Sequence, residues 1–116
     1  MAQYIVDCQG FFSSYCQASK SSRFVFKELA ILNLNENSAP RVFVFKPPHS
    51  WDCLDGKDKR SNKFVATRYH GMSWNIGDIP YSRLFHVLFY YLRNAEEIYV
   101  KGDDKIFWLR EYLPTM

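Results

Sequence analysis

Apolar residues in the first 45 positions fall into short runs that are typical of strands. Residues 4–8, 24–32 and 42–45 each form such a run, and polar or turn-forming stretches separate them. Residues 13–22 are rich in serine and predict a loop. Side chains alternate along a strand, so Phe24, Phe26, Glu28 and Ala30 are expected to share one face. Three strands are therefore predicted, the last two joined as a hairpin.

The second half of the chain has a helical period. Apolar residues recur at steps of three and four after Pro80, which suits the first turn of a helix over 80–94: Tyr81, Leu84, Phe85, Leu88, Phe89 and Leu92. Residues 97–100 predict a short strand. A last helix, capped by Asp103 or Asp104, is expected to run to Leu113. The order β-β-β, long connection, α, β, α predicts an α/β fold with a mixed sheet.

Composition narrows the class of protein. The chain has 116 residues and 47% hydrophobic residues, which suits one domain over 1–116 and excludes a disordered chain. No apolar run approaches the roughly 18 residues of a membrane-spanning helix, and the N-terminus lacks the pattern of a secretory signal. Cys8, Cys16 and Cys53 are an odd number of cysteines, which favours reduced thiols in an intracellular protein.

Several phrases, in order, resemble those of the DEDD-type 3′–5′ exonucleases. Residues 5–10 (IVDCQG) resemble the first motif, a strand that carries Asp-x-Glu, and residues 26–32 resemble the strand that follows it. Residues 69–73 (YHGMS) and 99–109 resemble two later motifs of the family. The sequence is similar in these features to those of exonuclease-like proteins of arthropods and of their viruses or mobile elements. This resemblance implies a ribonuclease H-like fold, truncated at its C-terminus.

The resemblance also implies a two-metal nuclease site, with Mg²⁺ or Mn²⁺ held by four carboxylates. Asp7 matches the first carboxylate of the family. The second falls at Gln9, the third at Lys105, and the fourth lies in a C-terminal segment that has no counterpart here. Only Asp7 is carried over, so the resemblance implies a degenerate site without a cofactor.

Two readings would restore a metal site. The register of the last motif could shift, so that Asp104 or Asp103 becomes a ligand beside Asp7. Glu28 could replace the missing second carboxylate if it faces the same side as Asp7. Otherwise Asp103 and Asp104 are helix-capping residues and Glu28 lies on a solvated face.

The most basic segment spans residues 55–68. Two aspartates, Asp55 and Asp58, stand against five basic residues: Lys57, Lys59, Arg60, Lys63 and Arg68. Such a segment is either a solvated loop or a surface that contacts phosphates. Nearby aromatic side chains could stack on bases: Trp51, Phe64, Tyr69 and Trp74.

Aromatic residues outside the predicted core stripe could form an exposed surface through which two copies associate: Phe11, Phe12, Tyr90, Tyr91 and Trp108.

Three functions are suggested by the resemblance and by these patterns. The first is a degenerate exonuclease-like module that binds protein or nucleic acid, with interference in a host RNA or antiviral pathway as its role. The second is an active 3′–5′ exonuclease using Asp7, Glu28 and Asp104. The third is a non-catalytic nucleic-acid-binding protein using the basic segment.

Overall fold

The computed structural model describes residues 2–14 and 24–113. Residues 15–22 of the predicted loop at 13–22, which include Cys16, lie outside these ranges. The described residues contain four strands, β1 (Gln3–Phe12), β2 (Phe24–Asn33), β3 (Arg41–Val44) and β4 (Glu97–Tyr99). They also contain three α-helices, α1 (Gly56–Val65), α2 (Leu84–Leu92) and α3 (Asp103–Arg110). None of these helices is long and apolar enough to cross a membrane.

The strands form one mixed sheet in the order β3-β2-β1-β4. β1 pairs antiparallel with β2 over almost its whole length, and β2 pairs antiparallel with β3. β4 lies parallel to β1 on its other side, after a crossover that contains α2. The predicted α/β class with a mixed sheet is confirmed, but two helices, α1 and α2, lie between β3 and β4 where the prediction had one.

Because of a β-bulge at Lys27, the side chains of β2 do not share faces of the sheet as predicted. Gln9 pairs with Glu28, but the next residue, Gly10, pairs with Phe26, so Lys27 has no residue opposite it. An extra residue shifts the alternation of side chains by one position. Phe24 and Phe26 therefore lie in the same core cluster as Leu29 and Ile31, and not on the face of Glu28 and Ala30 as predicted.

The Lys27 side chain is fully buried and donates to three backbone carbonyls. Its Nζ lies 2.8 Å from the oxygen of Phe45 and 2.6 Å from those of Trp74 and Ile76. Burial lowers the pKa of Lys27 from 10.5 to about 8, which leaves the ammonium as the main form at neutral pH. These three bonds fasten the bulge of β2 to the end of β3 and to the connection before α2.

The segment interpreted as a solvated loop at 55–68 is instead the helix α1, followed by a π-helical turn over Ala66–His70. Asp55 caps α1, because its Oδ1 accepts from the backbone N–H of Asp58 at 2.7 Å. The buried residues of α1 are polar, Asp58 and Asn62. A helix whose inward face is polar has no apolar stripe, and apolar periodicity therefore did not predict it.

Two helix predictions need correction. The stripe on α2 is narrower than predicted, because Leu84, Leu88 and Leu92 are buried whereas Phe85 and Phe89 are about half exposed. A 3-10 turn at Tyr81–Arg83 precedes α2, so the α-helix starts later than Pro80.

The last helix is also shorter than predicted and is capped differently. Gly102 is the N-cap of α3, and the helix ends at Arg110, before Leu113. Asp103 and Asp104 follow in its first turn, where a carboxylate is stabilised by the positive end of the helix dipole.

The aromatic surface also differs from the predicted one. Phe11 is fully buried, where it packs with Val25, Leu54 and Trp74. Trp108 stacks on Phe24 at a ring distance of 3.7 Å. Phe12 and Tyr90 are exposed as predicted, and α2 also exposes Phe85 and Phe89 beside Tyr90. Association of two copies stays a prediction, and it now concerns this face of α2.

We expect Lys27→Met to lower the free energy of unfolding by about 3 kcal/mol, because it leaves two buried carbonyls and one partly buried carbonyl without their donor. Urea denaturation measures the change. Lys46→Met is the matched control, since Lys46 is exposed and its loss should cost less than about 0.5 kcal/mol. Equal midpoints for the two variants would contradict the role given to Lys27.

The two described cysteines are free, Cys8 buried and Cys53 exposed. Burial raises the pKa of the Cys8 thiol to about 12, so roughly one molecule in 10⁴ carries the thiolate at pH 8. In a Cys16→Ser chain, a disulfide reagent at pH 8 should modify one thiol quickly and the second only after unfolding in urea. Modification of both thiols at similar rates in the native protein would show that Cys8 is accessible.

Candidate functional site

The sheet places the sequence-predicted carboxylates Asp7 and Glu28 on one face. Asp7 lies opposite Ala30 and Gln9 lies opposite Glu28, and residues paired across a ladder point to the same side. Asp7, Gln9 and Glu28 therefore share a face, with Asp7 and Glu28 in diagonal positions. The Asp7 side chain is 53% exposed, so this face of β1 is open to solvent.

The Lys105 ammonium forms an ion pair with the Asp7 carboxylate. Its Nζ lies 2.5 Å from Asp7 Oδ1, although the two residues are 98 positions apart in the chain. The first turn of α3 positions Lys105, and the pairing of β4 with β1 brings that turn beside Asp7. An ion pair this exposed contributes less than about 1 kcal/mol to stability. Its chemical effect is to put a fixed positive charge on the oxygen that the resemblance assigns to a metal ion.

The side chains around Asp7 do not fit a pair of divalent metal ions. Mg²⁺ and Mn²⁺ take several anionic oxygens, whereas Asp7 has an ammonium on its carboxylate and the neutral amide of Gln9 along the strand. In residues 2–14 and 24–113, no three His, Cys, Asp or Glu side chains come together as a group that could hold a metal. Asp103 and Asp104 are exposed at the start of α3 and join no such group with Asp7 and Glu28.

A second candidate site is the outer face of α1, where the basic residues collect. At about 100° per residue, Lys57, Arg60, Lys63 and Phe64 fall within about 120° of one another around the helix. All four are exposed. Arg68 is exposed in the π-helical turn that continues α1, and Lys59 is partly buried beside the others. We call these six residues the cationic face; five of them carry a positive charge.

Of the two carboxylates of this segment, Asp58 is turned away from the cationic face, whereas Asp55 is exposed at the start of α1 near Lys57. Asp58 is buried, and its Oδ2 accepts from the backbone N–H of Ser14 at 2.8 Å and from the Ser14 hydroxyl at 2.9 Å. Asp55 caps the helix, and the backbone N–H of Asp58 holds the pKa of that carboxyl below its usual range. Both aspartates are thus used to fix the helix. Lys57 therefore has the Asp55 carboxylate nearby, whereas Asp58 is directed to Ser14 and away from the outer cations.

Asn62 attaches α1 to the end of the sheet. Its Oδ1 accepts from the backbone N–H of Phe12 at 2.9 Å, and its Nδ2 donates to the Phe12 carbonyl at 2.8 Å. One side-chain amide therefore pairs with both backbone groups of Phe12 as a neighbouring strand would. Asp58 and Asn62, four residues apart on one side of α1, orient the cationic face outward. Sequence reasoning missed both roles, although the Asp55-x-x-Asp58 spacing is a helix-start signal.

Exposed aromatic residues accompany the cations. Phe64 is 53% exposed and Tyr69 is 74% exposed, and their rings meet edge to face at a centroid distance of 5.7 Å. His70 holds the turn that carries Tyr69, because its ring contacts the Gly10 carbonyl at 3.1 Å and the Met72 N–H at 3.0 Å. Apolar rings among exposed cations suit a partner that has both negative charge and flat apolar faces.

Comparison of this chain with protein-family models, with curated proteins and with solved structures gives no match. What it binds must therefore follow from the two surfaces described above. One is a carboxylate covered by an ammonium, and the other is a row of exposed cations with aromatic rings.

Proposed function

We propose that this chain is a nucleic-acid-binding module with a ribonuclease H-like fold and a degenerate nuclease site. The observation that carries the proposal is the cationic face of α1, whose positive side chains point outward while Asp58 points inward. Phosphates of a nucleic acid are the polyanion that such a row attracts, and Phe64 and Tyr69 offer rings for bases.

The sheet supports the fold assigned in this proposal. Three antiparallel strands, followed by a strand parallel to β1 at its other side, are the order implied by the resemblance to DEDD-type exonucleases. Asp7 lies on β1, as the first carboxylate of that family does.

The contact of Lys105 with Asp7 supports the loss of catalysis. A lysine ammonium neutralises Asp7 but supplies no bound water that could attack a phosphate. Binding without cleavage fits an intracellular protein that competes for a host RNA, including one of an antiviral pathway.

Reversal of two charges on the cationic face tests the binding. In Lys57→Glu with Arg60→Glu, the affinity for a fluorescent single-stranded RNA or DNA should fall at least about tenfold at 50 mM salt. If about four phosphates are contacted, the slope of log affinity against log salt is about −3 for the natural chain and about half of that for the variant. Fluorescence anisotropy at several salt concentrations measures both quantities.

The control variant makes the same change of charge elsewhere. Arg93 and Arg110 are exposed and border the groove between α2 and α3. Arg93→Glu with Arg110→Glu should keep most of the affinity and the salt slope. If both double variants lose binding equally, net charge alone explains it; if the Lys57 and Arg60 variant binds as the natural chain does, the cationic face is not the site.

One observation favours a second function, an active exonuclease: Glu28 does lie on the face of Asp7. In that case Asp7 and Glu28 would hold a metal ion after Lys105 moves away, and the ion would activate water. The two functions differ in whether Lys105 or a metal ion belongs on Asp7.

Lys105→Asp separates them. If the lysine has replaced a metal, the natural chain should show no Asp7-dependent uptake of Mn²⁺ in calorimetry, and it should leave a labelled strand at full length. Lys105→Asp should gain Mn²⁺ uptake, because it adds a carboxylate beside Asp7 and Glu28 and removes the cation.

Lys101→Asp is the matched control, since Lys101 is an exposed lysine that precedes the same helix. It should not gain Mn²⁺ uptake. Uptake by the natural chain that is lost in Asp7→Asn, together with shortening of the strand, would establish the exonuclease instead.

A further inference from the structure

An aromatic cleft opens directly beside the cationic face. It has a volume of about 350 Å³ and lies between α1 and the connection that precedes α2. Three rings line it, of which Trp51 is partly exposed while Phe11 and Trp74 are buried behind it, and Lys63, Thr67 and Asn75 stand among its other lining residues. Lys63 belongs to both surfaces, so the cleft and the cationic face are continuous.

The rings of the cleft are fixed in place by the surrounding structure. Trp74 is buried, its indole Nε1 donates to the His49 carbonyl at 3.3 Å, and its own carbonyl accepts from Lys27 Nζ. Trp51 meets Trp74 at a ring distance of 5.7 Å, and Phe11 meets it at 5.5 Å. A ligand that enters this cleft meets the partly exposed Trp51 ring, which packs on the buried Trp74, and a ring that is already packed lowers the entropic cost of binding.

The charge of the cleft selects among flat ligands. Among its described lining residues, Lys63 alone is charged, and none is a carboxylate. A cage for a methylated lysine or another organic cation would gain from a negative group and would be opposed by Lys63. The hydroxyl of Thr67 and the amide of Asn75 instead offer donors and acceptors to the polar edge of a planar ring.

We infer that this cleft receives one base of a single-stranded nucleic acid whose phosphates lie along the cationic face. The inference rests on the proposed function and adds to it a preference for unpaired strands. Bases in a duplex are stacked and paired and cannot enter a cleft, whereas an unpaired base can turn out of the strand and stack on an aromatic ring.

Strands without bases provide the test. The natural chain is titrated against a fluorescent twelve-nucleotide strand, the same strand made of abasic residues, and the corresponding duplex. Removal of the bases keeps the phosphates, so any loss belongs to base contacts. We expect the abasic strand to bind about 5- to 100-fold more weakly than the complete strand, and the duplex to bind more weakly as well.

Two variants locate the base contact in the cleft. Trp51→Leu removes the ring but keeps an apolar side chain, and Asn75→Asp places a carboxylate at an exposed position of the lining. Each variant should weaken binding of the complete strand. Trp51→Leu should leave binding of the abasic strand unchanged. Asn75 is exposed, so its replacement keeps the test valid if Trp51→Leu fails to fold. Tyr90→Ala, an exposed aromatic residue on α2, is the control and should change neither affinity.

The outcomes separate the cleft from the proposed function. If complete and abasic strands bind equally, and both lose affinity in Lys57→Glu with Arg60→Glu, nucleic-acid binding stands and the base cleft is overturned. A base-dependent loss that Trp51→Leu and Asn75→Asp do not affect also overturns the cleft, and assigns the bases to Phe64 and Tyr69. If no strand binds at all, the proposed function and the cleft fail together.

Discussion

A buried ammonium at a β-bulge is the constraint on which the register of the core and the aromatic cleft of this protein depend. Lys27 is the extra residue of the bulge, and its side chain is taken wholly out of water. Such burial is unfavourable unless hydrogen bonds compensate for it, and three carbonyls from β3 and from the following connection do so. Gly77 allows this close arrangement, because a Cβ there would lie 2.4 Å from the Phe45 carbonyl carbon. One lysine thus fixes both the register of the core and the position of Trp74.

The end of β1 shows the same use of polar groups in place of apolar packing. Asn62 pairs with the backbone of Phe12, and Asp58 accepts two hydrogen bonds from Ser14. With polar anchors on its inner side, α1 needs few apolar residues, and its outer side is free to carry cations. The Asp58 carboxylate is directed inward to Ser14, so it is not paired with the lysines of the outer side.

The sequence predicted those parts of the fold whose side chains follow a simple period. Strands with apolar runs, the buried leucines of α2 and the parallel strand after it all have local signals. The bulge at Lys27 had no local signal in the sequence, because the residues from Phe24 to Lys27 read as those of a regular strand, with Phe24 and Phe26 on one face and Val25 and Lys27 on the other. The helix α1 was missed since its inner face is polar, and the burial of Phe11 depends on Trp74, which lies far away in the chain. At the site, Asp7, Lys105 and the basic residues were visible in the sequence, but the cleft of Trp51 and Trp74 requires the Lys27 contacts to assemble it.

The two candidate surfaces differ in the charge and the aromatic rings that they present to a partner. At the sheet, Lys105 and Asp7 compensate one another, so that edge presents little net charge to a phosphate. On α1, Asp58 faces inward and only Lys57 has the Asp55 carboxylate nearby, and the neighbouring cleft adds the Trp51 ring, which packs on Trp74. Electrostatic attraction is strongest where charges are unpaired, and stacking gains most where rings are already ordered. Both conditions meet at Lys63, which favours the end of the sheet that α1 covers, rather than the carboxylate of β1, as the proposed binding surface.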